Sequence, residues 1–175
     1  METSVNVTKT KIRKDVLDRI CSRVHYLTTQ MIYLANHREE KEKGDPKVGG
    51  HPAACASALH ITGALHLIAK SGFDHIANKP HAAPVDHSYN YLMDLFLKGD
   101  TGHLERFSLE EADQAMNGLR AFPEHGQPVF QSYHSAYDSD HHGFLPSGTV
   151  GIPPVNVGYL AHAYRFCKDH GYEVP

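Results

Sequence analysis

The chain has 175 residues, 41% hydrophobic and 21% charged, a balance that argues for one soluble globular domain over a disordered, collagen-like or membrane-embedded polypeptide. With 17 Lys plus Arg against 20 Asp plus Glu, the formal charge of -3 offers no strong grip on a nucleic-acid backbone. Fifteen histidines beside no tryptophan invite a metal or acid-base reading, which the spacing must then support.

The first 12 residues are polar and are expected to fray, leaving residues 13–175 as the folded domain. The opening METSVNVTKTKIRKD lacks the apolar core of a signal peptide, and no stretch reaches the roughly 18 to 20 apolar residues of a membrane span. The expectation is a cytoplasmic protein with neither membrane nor nucleic acid as partner. From Arg13 to about His37, Val16, Ile20, Val24, Leu27, Met31 and Leu34 recur at spacings of three and four and predict an amphipathic helix. Residues 37–50 read as a solvated, charged helix end running into a Gly/Pro loop.

Pro52 suits a first helical turn, where no backbone donor is lost, and predicts a second helix reaching about Lys70. That helix is apolar nearly all round, so burial on most faces is expected. Beyond Gly72, Pro80 and Pro84 mark a loop. Residues 82–86 are the best strand candidate, and SYNYLMDLFLKG reads as a short helix ended by Gly99. Ser108 and Glu111 form a capping box for a helix over 109–117 closed by Gly118. Residues 119–153 form a long irregular stretch carrying His125, His134, His141 and His142, of a length that is often functional. A last helix from Pro154 to His170 sets Val157, Leu160, Ala161, Tyr164 and Cys167 on an inner face.

Cys21, Cys55 and Cys167 are far apart and form no CxxC, so neither a disulfide scaffold nor a cysteine zinc site is encoded. His51, behind Gly49 and Gly50 at a helix start, is placed either to cap or pack or to meet an anion where free N–H groups and the helix dipole favour one. His87, after an apolar run, suits a strand end that points into a cleft. For metal, no HExxH occurs, and His60 and His66 fall on different sides of their helix. His134, Asp138 or Asp140, and His141-His142 are the possible ligands in the loop. The absence of GxSxG, GxxxxGK[ST] and GxGxxG leaves hydrolase, P-loop and dinucleotide readings without support.

Taken in order, four blocks resemble one family. KVGGHPAACASALHITGALHLI is similar to the Gly-Gly-His helix start of the homodimeric thiamine-diphosphate enzymes, above all the decarboxylating first component of bacterial pyruvate dehydrogenase, with transketolases sharing a looser version. AAPVDHSYNYLMDLFLKG resembles the family's strand, histidine and helix. SLEEADQAMNGLRAFPEHGQP resembles its next helix and Leu-x-x-aromatic-Pro segment, and GTVGIPPVNVGYLAHAYRFCKDHGYEVP its Thr-Val-Ser-Met-Gly turn and following helix.

The resemblance implies an α/β fold class, with this chain as the helix-dominated N-terminal part of a thiamine-diphosphate-binding domain whose central parallel sheet is largely missing. By position it implies His51 and His87 as catalytic and cofactor-contacting residues and Ile152 as the apolar prop beneath the aminopyrimidine. It implies thiamine diphosphate with Mg as cofactor, the metal being held by a Gly-Asp-Gly stretch and a later Asn that lie outside this sequence. The implied reaction is decarboxylation of pyruvate or a related 2-oxo acid with acyl transfer to lipoamide, by a chain inactive alone. A transketolase-type ketol transfer and a non-catalytic interaction module are the alternatives. A homo-oligomer or a C-terminal companion chain is implied, with a lipoyl-bearing acyltransferase as the family's further partner. Ala54, Val85 and Ile152 stand where the family has Ser, Gln and Met.

Overall fold

A computed structural model describes residues 13–39, 51–71, 74–99, 103–121, 130–131, 133–140, 145, 148 and 151–174. The frayed tail at 1–12, most of the charged loop at 37–50 and the pair His141-His142 lie outside them, as does His125. The described chain is helix-dominated, with one small antiparallel sheet.

Helix α1 spans Lys14–Asn36 and buries Cys21, Val24, Leu27, Thr28, Met31, Ile32 and Ala35 along one stripe, as the spacing predicts. Each large apolar side chain so enclosed contributes about 1.5–3 kcal/mol. Helix α2, Pro52–Ala64, begins at the expected proline and passes into a π-helical turn over Leu65–Ala69. Its expected burial on most faces is not found. Cys55, Leu59, Thr62 and Gly63 are buried, whereas Ile61 and Ile68 keep 68% and 50% of their surface in solvent. An all-round apolar sequence states what a helix tolerates; the number of neighbours decides what it buries.

The strand expected over 82–86 is a helix instead. A 3-10 turn, Pro80–Ala82, runs directly into α3, Ala83–Leu92, with Pro84 in the first turn where its missing N–H costs nothing. Residues 82–90 are all buried, so α3 is the central rod of the fold, packed by α1, α2 and α4. Two of its hydroxyls are satisfied within the helix layer. Ser88 Oγ donates to the Pro84 carbonyl at 2.7 Å and lies 3.0 Å from Thr28 Oγ1 of α1, and Tyr89 Oη donates to the Leu59 carbonyl of α2 at 3.1 Å.

The helix read as continuing to Gly99 stops at Leu92. Asp94 takes a positive φ of 57°, the chain turns, and β1 (Leu97–Lys98) pairs antiparallel with β2 (Glu105–Arg106). Gly99 (φ 110°) serves this connection and not a helix end, and a Cβ there would meet the His103 carbonyl oxygen at 2.2 Å. Helix α4, Leu109–Asn117, carries the predicted capping box, with Ser108 N–H donating to Glu111 Oε2 at 2.8 Å and Glu111 N–H to Ser108 Oγ at 3.3 Å. An isolated parallel bridge joins Leu119 to Phe130 beneath it.

Helix α5, Ile152–Asp169, forms close to the predicted bounds, but its expected inner face is not buried. Pro153 alone among its residues is buried, and Val155, Tyr159 and Phe166 are exposed at 50%, 74% and 53%. Among the described residues no element covers it extensively.

Candidate functional site

His51 occupies the N-cap of α2 without any side-chain capping bond, which removes the capping reading. Its ring lies against that of His81, with centroids 4.4 Å apart at 59°. His81 comes from the 3-10 turn before α3 and touches Tyr133 on its other side, centroids 5.2 Å apart. The two imidazoles, Lys79, Ser57 and the first residues of α2, Ala53 and Ala54, line an open cavity of about 510 Å³. The first amides of a helix lack intrahelical partners and carry positive partial charge, so this mouth favours an anion. Burial, then the neighbouring His51 and Lys79, lower the pKa of His81 and favour its neutral ring.

A second group of titratable side chains lies wholly inside. Asp86 on α3 is fully buried and accepts from His66 Nε2 at 3.0 Å and Asn78 Nδ2 at 3.1 Å, with His134 Nε2 at 2.8 Å. Burial by itself would raise its carboxyl, but the bonds from His134 and His66 outweigh that and hold it well below the usual range. One turn on, His87 Nδ1 is 2.8 Å from Asp140 Oδ2, the oxygen that also accepts from Asn90 Nδ2 at 2.8 Å. The His87 ring stacks on Phe130 and meets His134 edge-on. Asp138 lies beyond, its carboxylate accepting the Gln131 and Ser135 amides at 3.2 and 2.9 Å. Burial favours a neutral His87, yet the charge of Asp140 and its hydrogen bond, followed by Asp138 and Asp86, raise its pKa. Asp138 is shifted upward, first by burial.

The structure separates the residues that sequence reasoning joined. His51 lies at the open cavity, but His87, expected at a strand end pointing into a cleft, is fully buried in mid-helix with Asp140. Ile152 is 43% exposed at the start of α5 and does not line the cavity. Of the loop residues considered for metal, His134, Asp138 and Asp140 are buried together. Lys79, His81, His66 and Asp86 were missed. The signal for His81 was its place between Pro80 and the first turn of a helix, the same Pro/His pairing that marks His51 and Pro52. Asp86 gave no signal, since one Asp beside one His is common.

No family model, curated protein or solved structure matches the chain.

Proposed function

We propose that this chain is the N-terminal portion of a thiamine-diphosphate-dependent 2-oxoacid dehydrogenase of the pyruvate-decarboxylating type, inactive alone, with transketolase-type ketol transfer as the variant reaction. The observation that carries this reading is the meeting of His51 with His81 at the amino end of α2, in a cavity that also holds Lys79. His51 belongs to the Gly-Gly-His start and His81 stands one residue before the AAPVDHSYNYL block, so the mouth joins the first block to the residues that lead into the second. His81 here takes the place that the linear reading gave to His87.

The donor set suits the reacting end of such a cofactor and an anionic substrate. Two imidazoles, an ammonium and unbonded helix amides surround a cavity of about 510 Å³. It does not supply a diphosphate-metal site, because no carboxylate lines the cavity among the described residues and the sequence contains no Gly-Asp-Gly. Bound thiamine diphosphate, with Mg, would bring the carbanion chemistry, and the protein's share is orientation, charge and protons. Lys79 attracts the substrate carboxylate. His81, kept toward its neutral form by burial and by neighbouring His51 and Lys79, accepts a proton at a ring nitrogen, and His51 bears on the same space from the helix start.

In two-dimensional imidazole NMR, pyruvate at millimolar concentration should shift the His51 and His81 resonances and leave exposed His162 unmoved. An equal response at all three rings, or none at His51 and His81, overturns the reading. By calorimetry the chain alone should take up no thiamine diphosphate with Mg; tight uptake would place the metal site within it.

A second reading, a non-catalytic interaction module, is favoured by the apolar side chains of α2 and α5 left in solvent. The same surfaces suit the partner implied under the first reading, a second copy or a companion chain, before any lipoyl-bearing acyltransferase. Unchanged turnover of the complete enzyme with His51 and His81 both replaced by Ala would favour the module.

A further inference from the structure

The apolar stripe of α1 is covered only from Cys21 onward. Cys21, Val24 and Leu27 are buried, whereas Val16 and Ile20, which begin the same stripe, are only partly covered. Across from them stand Leu67 of the π-helical turn and Leu92 and Met93 at the end of α3, and between these walls lies a cavity of about 430 Å³. Its walls come from three separate segments, so it is a concavity and not a stripe on one helix face. A cavity of this size, lined mainly by apolar side chains with a few convergent polar groups, has the ordinary form of a small-molecule site.

The polar groups at its rim are two guanidiniums. Arg19 and Arg23 are exposed one turn apart on α1, and both line the cavity. The basic residues that precede them have acids: Arg13 pairs with Asp15 at 2.6 Å and Lys14 with Asp18 at 2.7 Å. Among the described residues Arg19 and Arg23 have no carboxylate partner, and Arg23 lies over the Tyr26 ring, 5.2 Å from its centroid. Arg23 also borders a second, more polar cavity of about 270 Å³ that contains Gln30, Asn117 and the carboxylate of Asp113. Asp113 accepts the Tyr91 hydroxyl at 2.6 Å and forms no ion pair with Arg23. The sequence leading into α1, residues 1–12, carries Lys9 and Lys11 against Glu2, a charge that does not complement two guanidiniums.

We propose that this cavity binds a single-chain amphiphilic carboxylate, its alkyl tail among Ile20, Leu67 and Leu92 and its head at Arg19 and Arg23. The planar guanidinium fork matches a carboxylate through parallel N–H···O bonds. The tail in turn removes water from the apolar residues that the fold leaves half-covered. A sugar or nucleotide does not suit these walls, which offer its hydroxyls few hydrogen bonds. An amphipathic helix, about 10–12 Å across, is wider than a concavity of this volume accommodates. The cavity shares no lining residue with the one at His51 and is independent of the thiamine reading.

Sodium octanoate, decanoate and dodecanoate, each titrated into the full chain below its micelle concentration, should bind one-to-one by calorimetry. Affinity should tighten about fourfold per added methylene while the tail still gains cover. Decanol, which keeps the tail and loses the charge, should bind at least about tenfold more weakly than decanoate. Arg19→Gln combined with Arg23→Gln should erase that preference and leave decanol binding unchanged. Methyl NMR of the wild-type chain gives a readout that no variant can confuse: decanoate should shift Ile20, Leu67 and Leu92 and leave the exposed Ile61 and Ile68 unmoved. Equal affinity for decanol and decanoate, undiminished decanoate binding by the double variant, or equal shifts at Ile61 and Ile68 overturns the proposal. Binding to anionic phospholipid vesicles without uptake of monomeric decanoate also overturns it, in favour of a membrane surface. So does an acidic amphipathic peptide that binds the same residues while decanoate does not, in favour of a protein partner.

Discussion

His81 and His87 are six residues apart and have opposite environments. The first lies beside His51 at an open mouth, and the second is sealed between Phe130 and Asp140. A helical turn and a half separates them, which turns one ring outward and the other into the core. The thiol of Cys55, which donates to the His81 carbonyl at 3.6 Å, is pushed up to about 12 by burial and then by the charge of Asp86. It is a packing group, not a nucleophile. For His81 the sign of the pH effect is fixed by its lowered pKa. The ring is mostly neutral at pH 7.5, with Lys79 attracting the carboxylate, and protonation of His81 adds a second cation beside it. Affinity should therefore rise as pH falls toward 5.5, by at most about tenfold per unit for one linked proton. His81→Gln should flatten that profile in an NMR titration, and an unchanged slope would remove His81 from the site.

At the scale of elements, α2 and α3 are held at close range by a glycine. A Cβ at Gly63 would stand 2.3 Å from Tyr89 Oη, and Tyr89 is fully buried with its hydroxyl on the Leu59 carbonyl and 3.3 Å from Cys21 Sγ. Gly63→Ala gains about 1 kcal/mol of helix propensity but overpacks a fixed ring at a cost of about 1–3 kcal/mol. Urea unfolding should show a net loss near 1–2 kcal/mol. In a Tyr89→Phe background, which removes the obstructing oxygen, the same change should be neutral or stabilising, and the difference between the two measures the contact. Equal effects in both backgrounds would mean that α2 shifts freely on α3. The capping box of α4 works the other way, through local chemistry alone. The Lys98 ammonium, then Ser108, hold the Glu111 carboxyl down at about 2.

For the whole molecule, the apolar side chains of α2 and α5 set the expectation. Ile61, Ile68, Val155 and Phe166 leave half or more of their surface in water. Apolar side chains exposed along a helix suit an interface. Sedimentation should show concentration-dependent association, and Ile61→Glu with Ile68→Lys should shift it toward monomer; a monomer at all concentrations would argue against either helix as an interface. What the sequence by itself determined were features written in neighbouring residues: the stripe of α1, the proline start of α2, the capping box of α4 and the span of α5. Each depends on bonds within a turn or two of chain. Tertiary structure decided the rest. Whether residues 82–86 became strand or helix, which face of α2 met a partner, and which histidine joined His51 all depended on packing between segments far apart in sequence. Asp86, His66 and His134 illustrate the limit. They are separated by 20 and 48 positions, and no local pattern announces that one buried carboxylate will draw two imidazoles to it, because only a dry interior makes that pairing worth its desolvation.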